Sequence, residues 1–259
     1  MSTKKIVLIT GATSGIGKEL AKCFAINGYS LIIVSQDLER LKKTVAEFQK
    51  QYAADVDYIQ ADLSLPNAAQ KVFDALQGKT LDVLVNNAGF AAYGPFAEND
   101  VDMVLGSIRL NIETLTHLTK LVLPLMIDRR AGKILNVAST AAFQPGPLMA
   151  VYFATKAYVL SFSEAVRFEL KGTGVTITTL CPGATKTEFQ TKTAFGKSNL
   201  IKMGGMMKAD DVARQGFMAL MEGQSIIIPG VRNKVTVFMT RFSPRSLLLR
   251  IVAKLNATA

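Results

Sequence analysis

A glycine-rich turn between an apolar strand and a helix is the feature that most narrows the folds open to this chain. The apolar run 6–9 leads into residues 10–17, whose glycines are spaced G-x-x-x-G-x-G rather than G-x-G-x-x-G, and a helical pattern follows at 18–22. Such glycines allow a tight turn and let backbone amides approach a pyrophosphate, which the positive end of the helix dipole also attracts. The segment therefore predicts a strand, a turn and a helix that together bind a dinucleotide.

Apolar strand-like runs alternate with longer helical patterns along the rest of the chain. This alternation predicts parallel βαβ units and a doubly wound α/β fold. We predict seven strands, at residues 6–10, 30–35, 56–61, 81–86, 133–139, 175–181 and 225–229. A length of 259 residues, 49% of them hydrophobic, suits one domain with a substantial core, and neither a repeat nor a low-complexity linker divides it.

Tyr152 and Lys156 are four residues apart on a predicted helix, which places the phenol and the ammonium on one face. A free phenol titrates near pH ~10, and a nearby cation favours the phenolate. Tyr152 could then exchange a proton with an alcohol or a ketone near neutral pH, and Ser139 on the preceding segment adds a hydroxyl. Taken alone, such a pair more often indicates a half-buried ring beside a solvated amine.

The glycine turn and this pair belong to a longer series of motifs that resembles the short-chain dehydrogenase/reductase family in its single-domain form. The resemblance covers nearly the whole chain, up to about residue 229. After the turn come Asp62-Leu63, Asn86-Asn87-Ala88-Gly89, Asn111, Ser139, Tyr152 with Lys156, Pro182-Gly183 and Thr187. The resemblance implies a Rossmann-type seven-stranded parallel sheet in the order 3-2-1-4-5-6-7, with helices on both faces and the site at the carboxyl ends of the strands.

The catalytic set of the family corresponds to Asn111, Ser139, Tyr152 and Lys156, and all four are present. The resemblance implies that Tyr152 is the general acid in ketone reduction and the general base in alcohol oxidation. Lys156 would lower the pKa of Tyr152 and hydrogen-bond the nicotinamide ribose, while Ser139 would polarise the carbonyl oxygen. Asn111 would hold a water at a local break in its helix, although by sequence alone it could be an exposed helical asparagine.

These residues predict an NAD(P)-dependent oxidoreductase that transfers hydride between nicotinamide and a ketone or secondary alcohol. A dinucleotide-binding sensor or scaffold without catalysis is the alternative from another class of protein. Its signature would be a damaged catalytic set, whereas here every position of the set carries the family residue.

The same resemblance assigns the cofactor to the turns that follow the strands. Asp62 would hold the adenine amino group, although by sequence alone it could be a turn residue or a helix N-cap. The small Ala88 and Gly89 would let the cofactor ribose lie against the backbone, and residues 182–187 would wrap the nicotinamide amide. The predicted cofactor contacts are Gly11, Thr13, Ser14, Gly15, Ile16, Gly17, Ser35, Gln36, Arg40, Asp62, Leu63, Asn87, Ala88, Gly89, Tyr152, Lys156, Pro182, Gly183, Thr185 and Thr187.

The residues that end the second strand favour NADP over NAD without settling the choice. NAD-dependent enzymes of this design usually place an acid there, which binds the ribose 2′-hydroxyl. Ser35 carries no charge that would repel a 2′-phosphate, and Lys18 and Arg40 are near enough to supply positive charge. Gln36, however, stands where NADP-dependent relatives often have an arginine, and Asp37 could be a ribose ligand or a helix N-cap.

Three segments, at residues 91–96, 141–149 and 188–207, are expected to form the substrate site. The last has a composition suited to a mobile lid over an apolar ligand, although two helices packed on the core would share it. Its apolar members are Phe189, Phe195, Leu200, Ile201, Met203, Met206 and Met207. A hydrophobic ketone or secondary alcohol, steroid-like or fatty, is the predicted substrate class.

The chain carries a formal charge of +10, and much of the surplus lies in an apolar and basic extension at residues 230–259. Nothing in the pattern is typical of a nucleic-acid-binding fold. The extension fits an amphipathic helix packed on the domain or on a second subunit, or, less commonly, a peripheral membrane contact, as in a membrane-held lipid or steroid reductase. The family resemblance also implies a homodimer or homotetramer formed through the helices that carry Asn111 and Tyr152.

The other reactive side chains indicate no second chemistry. Cys23 and Cys181 are far apart, lack metal-type spacing and are expected to be buried and reduced. The single histidine, His117, is expected to be structural, and no metal site is predicted. The chain shows neither a basic and apolar leader nor an uninterrupted apolar stretch of about 18 residues, so a cytoplasmic location is predicted.

Overall fold

A seven-stranded parallel sheet forms the centre of the protein in the computed structural model, which describes residues 4–189 and 194–258. Its strands run in the order β3-β2-β1-β4-β5-β6-β9, which confirms the predicted order because β7 and β8 are two short strands that pair only with each other. The bounds are β1 Ile6–Thr10, β2 Ser30–Ser35, β3 Val56–Gln60, β4 Val83–Asn86, β5 Gly132–Val137, β6 Val175–Leu180, β7 Thr185–Lys186, β8 Met207–Lys208 and β9 Ile226–Ile227.

The last strand of the sheet is shorter than the predicted 225–229. Ile226 and Ile227 pair with Thr179 and Leu180 of β6, and no further residue joins the ladder. Pro229 has no N–H to donate, and proline is confined to strand ends and edges for that reason. The apolar run of the sequence therefore extends beyond the last residue that pairs in the strand.

Helices cover both faces of the sheet, as a doubly wound fold requires. A π-helical turn at Arg109–Thr114 joins the fourth helix to the fifth. The bounds are α1 Gly15–Ile26, α2 Leu38–Tyr52, α3 Ala68–Ala75, α4 Val101–Ile108, α5 Leu115–Asp128, α6 Ala150–Glu169, α7 Asn199–Lys202, α8 Ala209–Met221, α9 Val231–Thr240 and α10 Arg245–Asn256.

Successive residues of β1 supply two separate hydrophobic cores. Val7 and Ile9 pack with residues of α1, α2 and α8 on one face, while Leu8 packs with residues of α3 and α5 on the other. Side chains alternate across a strand, and both faces of this sheet are covered. The central strands are therefore apolar at most of their positions, which is the pattern that the sequence presents.

A chain of buried polar side chains crosses the core between β4 and β5. Asn86 and Asn136 are partners in the strand register, and the Asn86 Nδ2 donates to the Asn136 Oδ1 at 2.9 Å. The Asn86 Nδ2 also donates to Thr119 Oγ1 of α5 at 3.1 Å, and the Asn136 Nδ2 donates to Ser163 Oγ of α6 at 2.9 Å. These bonds tie two neighbouring strands to α5 and α6.

The C-terminal helices α9 and α10 lie beside the carboxyl ends of the strands, where they are hydrogen-bonded to several loops. The buried Asn256 donates from its Nδ2 to the Pro147 carbonyl at 2.8 Å, and its own carbonyl accepts from the Tyr93 hydroxyl. The Asn199 Nδ2 donates to the Lys254 carbonyl at 2.9 Å. Packing on the domain, one of the arrangements left open for the extension, is thus observed.

Candidate active site

A cleft of about 720 Å³ opens at the carboxyl ends of the strands. It spans the point between β1 and β4 where the strand order reverses, and ligands bind at this point in doubly wound sheets because the neighbouring loops diverge to opposite faces. All the predicted cofactor contacts except Arg40 line the cleft, and Ser139 lines it as well. Asn111 lies outside the lining.

The turn after β1 presents backbone to the cleft. Gly11 and Gly15 have φ angles of +67° and +54°, in the left-handed region that favours glycine. A Cβ on Gly17 would lie 2.2 Å from the Gly11 carbonyl oxygen and 2.3 Å from Asn87 Nδ2, so a larger residue does not fit. Because no side chain stands at this point, the N-terminus of α1 is open to the cleft. The N-terminus of a helix attracts anions, so this end of the cleft suits the pyrophosphate of a dinucleotide.

Hydrogen bonds lock the turn after β1 to the turn after β4. The Asn87 Nδ2 donates to the carbonyls of Thr10 and Gly11 at 2.9 and 3.1 Å. The Thr10 Oγ1 accepts from the backbone N–H groups of Asn87 and Ala88, both at 3.0 Å. The wall of the cofactor cleft is therefore held in shape by the protein itself.

Arg40 lies beside the cleft without lining it, because two carboxylates hold it. Asp37 is a helix N-cap, with its Oδ1 accepting from the Arg40 backbone N–H at 3.0 Å and its Oδ2 lying 3.3 Å from the Arg40 Nε. The Arg40 Nη1 donates at 2.5 Å to the Oε2 of Glu188, which lines the cleft. Ser35 Oγ lies in the cleft 3.4 Å from Thr13 Oγ1. Of the two roles left open for Asp37, the structure shows the N-cap.

Asp62 lines the cleft and also stabilises a turn. Its Oδ1 accepts from the backbone N–H of Ser64 at 2.9 Å and from the Ser64 hydroxyl at 2.6 Å. Asn67, and not Asp62, occupies the N-cap position of α3. The turn role is therefore observed and the N-cap role is excluded, while the adenine contact stays a prediction.

Ser139, Tyr152 and Lys156 meet at one end of the cleft. Ser139 follows β5, and its Oγ accepts from the Ala141 N–H at 3.1 Å, donates to the Pro182 carbonyl at 3.3 Å and hydrogen-bonds the Tyr152 side chain. The four-residue helical spacing in α6 puts the Lys156 Nζ 5.6 Å from the centroid of the Tyr152 ring. A hydroxyl, a phenol and an amine thus converge on one volume.

Burial controls the protonation of the Tyr152 and Lys156 pair. Desolvation raises the pKa of Tyr152 to about 12, although its hydrogen bond with Ser139 acts in the opposite direction. Desolvation also lowers the pKa of Lys156 to about 8. The pKa of Tyr152 is therefore raised in this structure and not lowered, as its spacing from Lys156 had predicted. The Lys156 Nζ donates to the Val137 carbonyl at 2.8 Å.

Asn111 is buried behind the cleft in the π-helical turn, so the alternative of an exposed helical asparagine is wrong. Its Nδ2 donates to the Phe90 carbonyl at 3.0 Å and to Thr155 Oγ1 at 3.1 Å, and its Oδ1 accepts from the Phe90 N–H at 3.3 Å. A Cβ on Gly89 would lie 3.0 Å from the Asn111 Oδ1 and 3.5 Å from the Lys156 Nζ. The water-holding role predicted for Asn111 stays a prediction.

The segment predicted to hold the nicotinamide rests on α9. The Thr185 Oγ1 donates to the Gly183 carbonyl at 2.9 Å, and the Thr187 Oγ1 accepts from the Phe189 N–H at 3.3 Å. A Cβ on Gly183 would lie 2.4 Å from the Oδ1 of Asn233, the third residue of α9. The C-terminal helices therefore fix the position of this part of the cleft.

Apolar side chains line the part of the cleft beyond Tyr152. From the three predicted segments come Ala91, Ala141, Met149, Phe189, Phe195, Leu200 and Met203. From α9 and α10, which the sequence does not identify as part of the substrate site, come the apolar Val237, Val252 and Leu255 and the polar Arg232, Asn233, Thr236, Thr240 and Asn256. Ile201, Met206 and Met207 do not line the cleft, and residues 190–193 of the predicted lid lie outside the described residues.

The other side chains considered above take no part in the cleft. Both cysteines are free thiols, Cys181 being buried and Cys23 partly buried, and burial raises the pKa of the Cys181 thiol to about 12. His117 is partly buried on α5. Within residues 4–189 and 194–258, no cluster of side chains could hold a metal ion, and no helix is long and apolar enough to cross a bilayer.

Comparison with known proteins identifies relatives of this chain in sequence and in structure. The family model for short chain dehydrogenase matches residues 5–197. The very-long-chain 3-oxoacyl-CoA reductase-B of Danio rerio is 37% identical over 185 residues, and the match covers 70% of this chain but only 60% of that relative. A short-chain dehydrogenase from Sphingobium yanoikuyae in complex with NADPH superimposes with a TM-score of 0.82 at 29% identity, covering 94% of each chain. One from Burkholderia phymatum in complex with NAD gives 0.80 at 26% identity, covering 91% of this chain and 92% of that chain.

Proposed function

The chain belongs to the short-chain dehydrogenase/reductase family, and from this we propose that it is an NAD(P)-dependent oxidoreductase acting on a ketone or a secondary alcohol. The convergence of Ser139, Tyr152 and Lys156 at one end of a cleft whose other end suits a dinucleotide is the observation that carries the proposal. The glycine turn also supports this proposal, because the absence of side chains lets the pyrophosphate of the dinucleotide approach the backbone N–H groups.

Each residue of the convergent set has a chemical task in the reduction. When bound, the nicotinamide ring supplies hydride to the carbonyl carbon of the substrate. Tyr152 donates its proton to the carbonyl oxygen, and its raised pKa keeps that proton in place until negative charge develops on the oxygen. Ser139 orients the same oxygen through its hydroxyl. Lys156 binds the ribose and, as a cation behind the phenol ring, stabilises the phenolate that forms.

We propose NADP(H) as the cofactor, because the end of β2 carries no free acid. Ser35 lines the cleft at this point, and the Asp37 carboxylate is occupied as the N-cap of α2. Arg40 places a guanidinium next to the cleft, where a 2′-phosphate could replace Glu188 as its partner. Both NADPH and NAD occur in the structural relatives, so this preference needs a measurement of its own.

Replacing Arg40 with glutamine is expected to weaken NADPH binding about tenfold or more and to leave NADH binding nearly unchanged. A charge-assisted hydrogen bond contributes about 1.5–3 kcal/mol, and only NADPH carries the phosphate that would receive it. Fluorescence titration of both cofactors measures the two dissociation constants. Lys42→Gln, which removes a cation from the same helix, is the matched control. Equal losses for NADPH and NADH would contradict this role of Arg40.

We propose an apolar ketone as the substrate class. Many of the side chains that line the cleft beyond Tyr152 are apolar, such as Met149, Phe189 and Val252, and an apolar substrate would pack against them. Polar side chains of α9, among them Arg232 and Thr236, line the same part and could bind a polar group of that substrate. A relative named as a very-long-chain 3-oxoacyl-CoA reductase is consistent with this class, although the match leaves two fifths of that relative uncovered.

The proposed function is tested by titrating the purified protein with NADPH and NADH and then following cofactor oxidation with fatty, steroidal and aromatic ketones. Tight cofactor binding with turnover of an apolar ketone is the expected result. Binding of a cofactor without turnover of any ketone would contradict the proposed activity. Failure to bind either cofactor would contradict the assignment of the cleft itself.

We propose that two copies associate through α5 and α6, the helices next to the catalytic set. These helices carry exposed apolar side chains, among them Leu125, Ile127, Tyr158 and Phe168. Phe168→Asp is expected to convert the assembly to a smaller species in light scattering, because a buried unpaired carboxylate is costly at an interface. Ile26→Asp, on the exposed end of α1, serves as the control. A monomeric wild-type protein would reject this interface.

A further inference from the structure

The outer surface of the C-terminal helices is unusually apolar for a face exposed to water. We call it the C-terminal face, and it consists of the solvent-exposed side chains of α9, α10 and the loop between them. Its large apolar members are between 40% and 77% exposed. They are Val231, Val235, Phe238, Met239, Phe242, Leu247, Leu249 and Ile251. Phe238 and Phe242 form an aromatic pair on this surface, with ring centroids 5.1 Å apart.

The C-terminal face is also strongly basic. Its exposed cations are Lys234, Arg241, Arg245, Arg250 and Lys254, together with Arg232, which is exposed but also lines the cleft. The sequence from residue 223 to residue 259 contains neither aspartate nor glutamate. Among the ion pairs formed within the described ranges, none involves these cations. Apolar side chains and uncompensated positive charge thus share one surface.

The inner side of the same helices forms part of the wall of the cleft. Val237 is buried and lines the cleft, whereas the next residue, Phe238, faces the solvent. In α10, Val252 lines the cleft and is preceded by the exposed Ile251. Only the thickness of a helix therefore separates the C-terminal face from the apolar part of the cleft.

We propose that the C-terminal face docks on the surface of an anionic lipid bilayer. A surface that combines aromatic and aliphatic side chains with arginine and lysine binds in the interfacial region, where the apolar groups enter the acyl boundary and the cations contact the headgroups. The contact that we propose is peripheral, since it is made by the exposed side chains of this face. Because the cleft lies directly behind this face, the substrate of the proposed reductase would be drawn from the membrane, and this second step rests on the proposed function.

Charge distinguishes a lipid surface from a second copy of the chain as the occupant of this face. A symmetric pair of copies brings the same patch of each together, so the six cations of one chain would face the six of the other without any acid on the segment to neutralise them. Like charges repel in such an arrangement. An anionic bilayer complements the same charge and can bury the apolar side chains as well.

Flotation of the full chain with vesicles tests the docking independently of any enzymatic activity. Vesicles of phosphatidylcholine with phosphatidylglycerol are expected to carry the protein, whereas phosphatidylcholine alone should bind at least ~10-fold more weakly, and high salt should release it. The triple variant Arg241→Gln, Arg245→Gln, Arg250→Gln should lose roughly 100-fold in affinity. The double variant Phe238→Ser, Phe242→Ser should also lose binding, because it removes the apolar part of the contact.

Matched controls remove the same groups elsewhere on the surface. Lys42→Gln, Lys43→Gln, Lys50→Gln removes three exposed cations from α2, and Ile26→Ser removes an exposed apolar side chain from α1. Both controls should float like the wild type. NADPH binding should be retained by every variant, since none of the altered residues lines the cleft.

Three results would overturn the proposal. One is a folded wild-type protein that binds NADPH but does not float with anionic vesicles at low salt. Another is a loss of vesicle binding that is as large for the α2 control as for the variants of the C-terminal face. In the third, light scattering shows that the face variants dissociate a dimer that does not bind vesicles, and a second copy would be the occupant.

Discussion

Replacing Tyr152 with phenylalanine is expected to leave NADPH binding intact and to lower turnover at least ~100-fold, the usual scale for the loss of a general acid. The change removes one oxygen and keeps the ring, which lies 5.5 Å from the Phe189 ring in the lining of the cleft. Fluorescence titration measures the binding, and steady-state oxidation of NADPH with an accepted ketone measures the turnover.

Tyr158→Phe is the matched control for this variant. Tyr158 lies on the same helix, and its hydroxyl is hydrogen-bonded to Thr116 Oγ1 at 2.9 Å on the exposed side. Removing that hydroxyl should leave turnover within about twofold of the wild type, since surface changes of this kind are usually small. Near-normal turnover of Tyr152→Phe would reject the role of Tyr152 as the proton donor.

Replacing Lys156 with methionine is expected to reduce both cofactor binding and turnover. A hydrogen bond from a charged donor contributes about 1.5–3 kcal/mol, so the dissociation constant of NADPH should rise roughly 10- to 100-fold. Turnover at saturating cofactor should fall at least ~100-fold as well, because the phenolate of Tyr152 would lose its cation. A variant that loses turnover but binds NADPH normally would contradict the shared role of this side chain.

The same substitution is expected not to lower the free energy of unfolding below pH 8. A loss of activity in Lys156→Met would therefore not be explained by misfolding. Burial lowers the pKa of Lys156 from 10.5 to about 8 in the folded protein, so the cost of burying its charge is full below pH 8 and disappears as the pH rises to 10.5. Lys156→Met should therefore be at least as stable as the wild type below pH 8. Its advantage should shrink by up to about 1.4 kcal/mol per pH unit above that value. Denaturant unfolding of both proteins at the two ends of this range measures the difference.

The sheet and the cofactor end of the cleft could be predicted from sequence because each depends on local patterns. A strand buried on both faces is apolar at most positions, which allows β1 and β4 to be predicted from the sequence. The glycine turn is equally local, since the close approach of Gly17 to the Gly11 carbonyl excludes every larger residue. The residues that line the cleft follow from these elements and from the order of the strands.

The substrate wall could not be predicted in the same way, because α9 and α10 are apolar on both sides. Val237 and Phe238 are neighbours of similar hydrophobicity, yet one lines the cleft and the other faces the solvent. Helical periodicity identifies an inner face only where the outer face is polar. The partner of Arg40 could not be predicted for a different reason. Glu188 lies 148 residues away in the chain, and only the folded structure brings the two side chains together.

The protonation of the catalytic pair is another property that spacing alone cannot supply. The four-residue separation correctly puts Lys156 near Tyr152, but the pKa of a phenol depends on how much water reaches it as well as on its neighbours. Desolvation by the surrounding elements decides the direction of the shift. That burial is a property of the folded chain.

The polar chain that joins Asn86 to Asn136 also bears on how the sheet finds its alignment during folding. Parallel strands made of valine, leucine and isoleucine can slide past each other with little change in apolar contact, so hydrophobicity alone discriminates poorly between alignments. A slip of one residue between β4 and β5 would separate the two amides and leave buried donors unsatisfied, at about 1–3 kcal/mol for each. The two asparagines therefore favour the native register of β4 and β5 over slipped alignments, and with it the relative position of the loops that form the cleft.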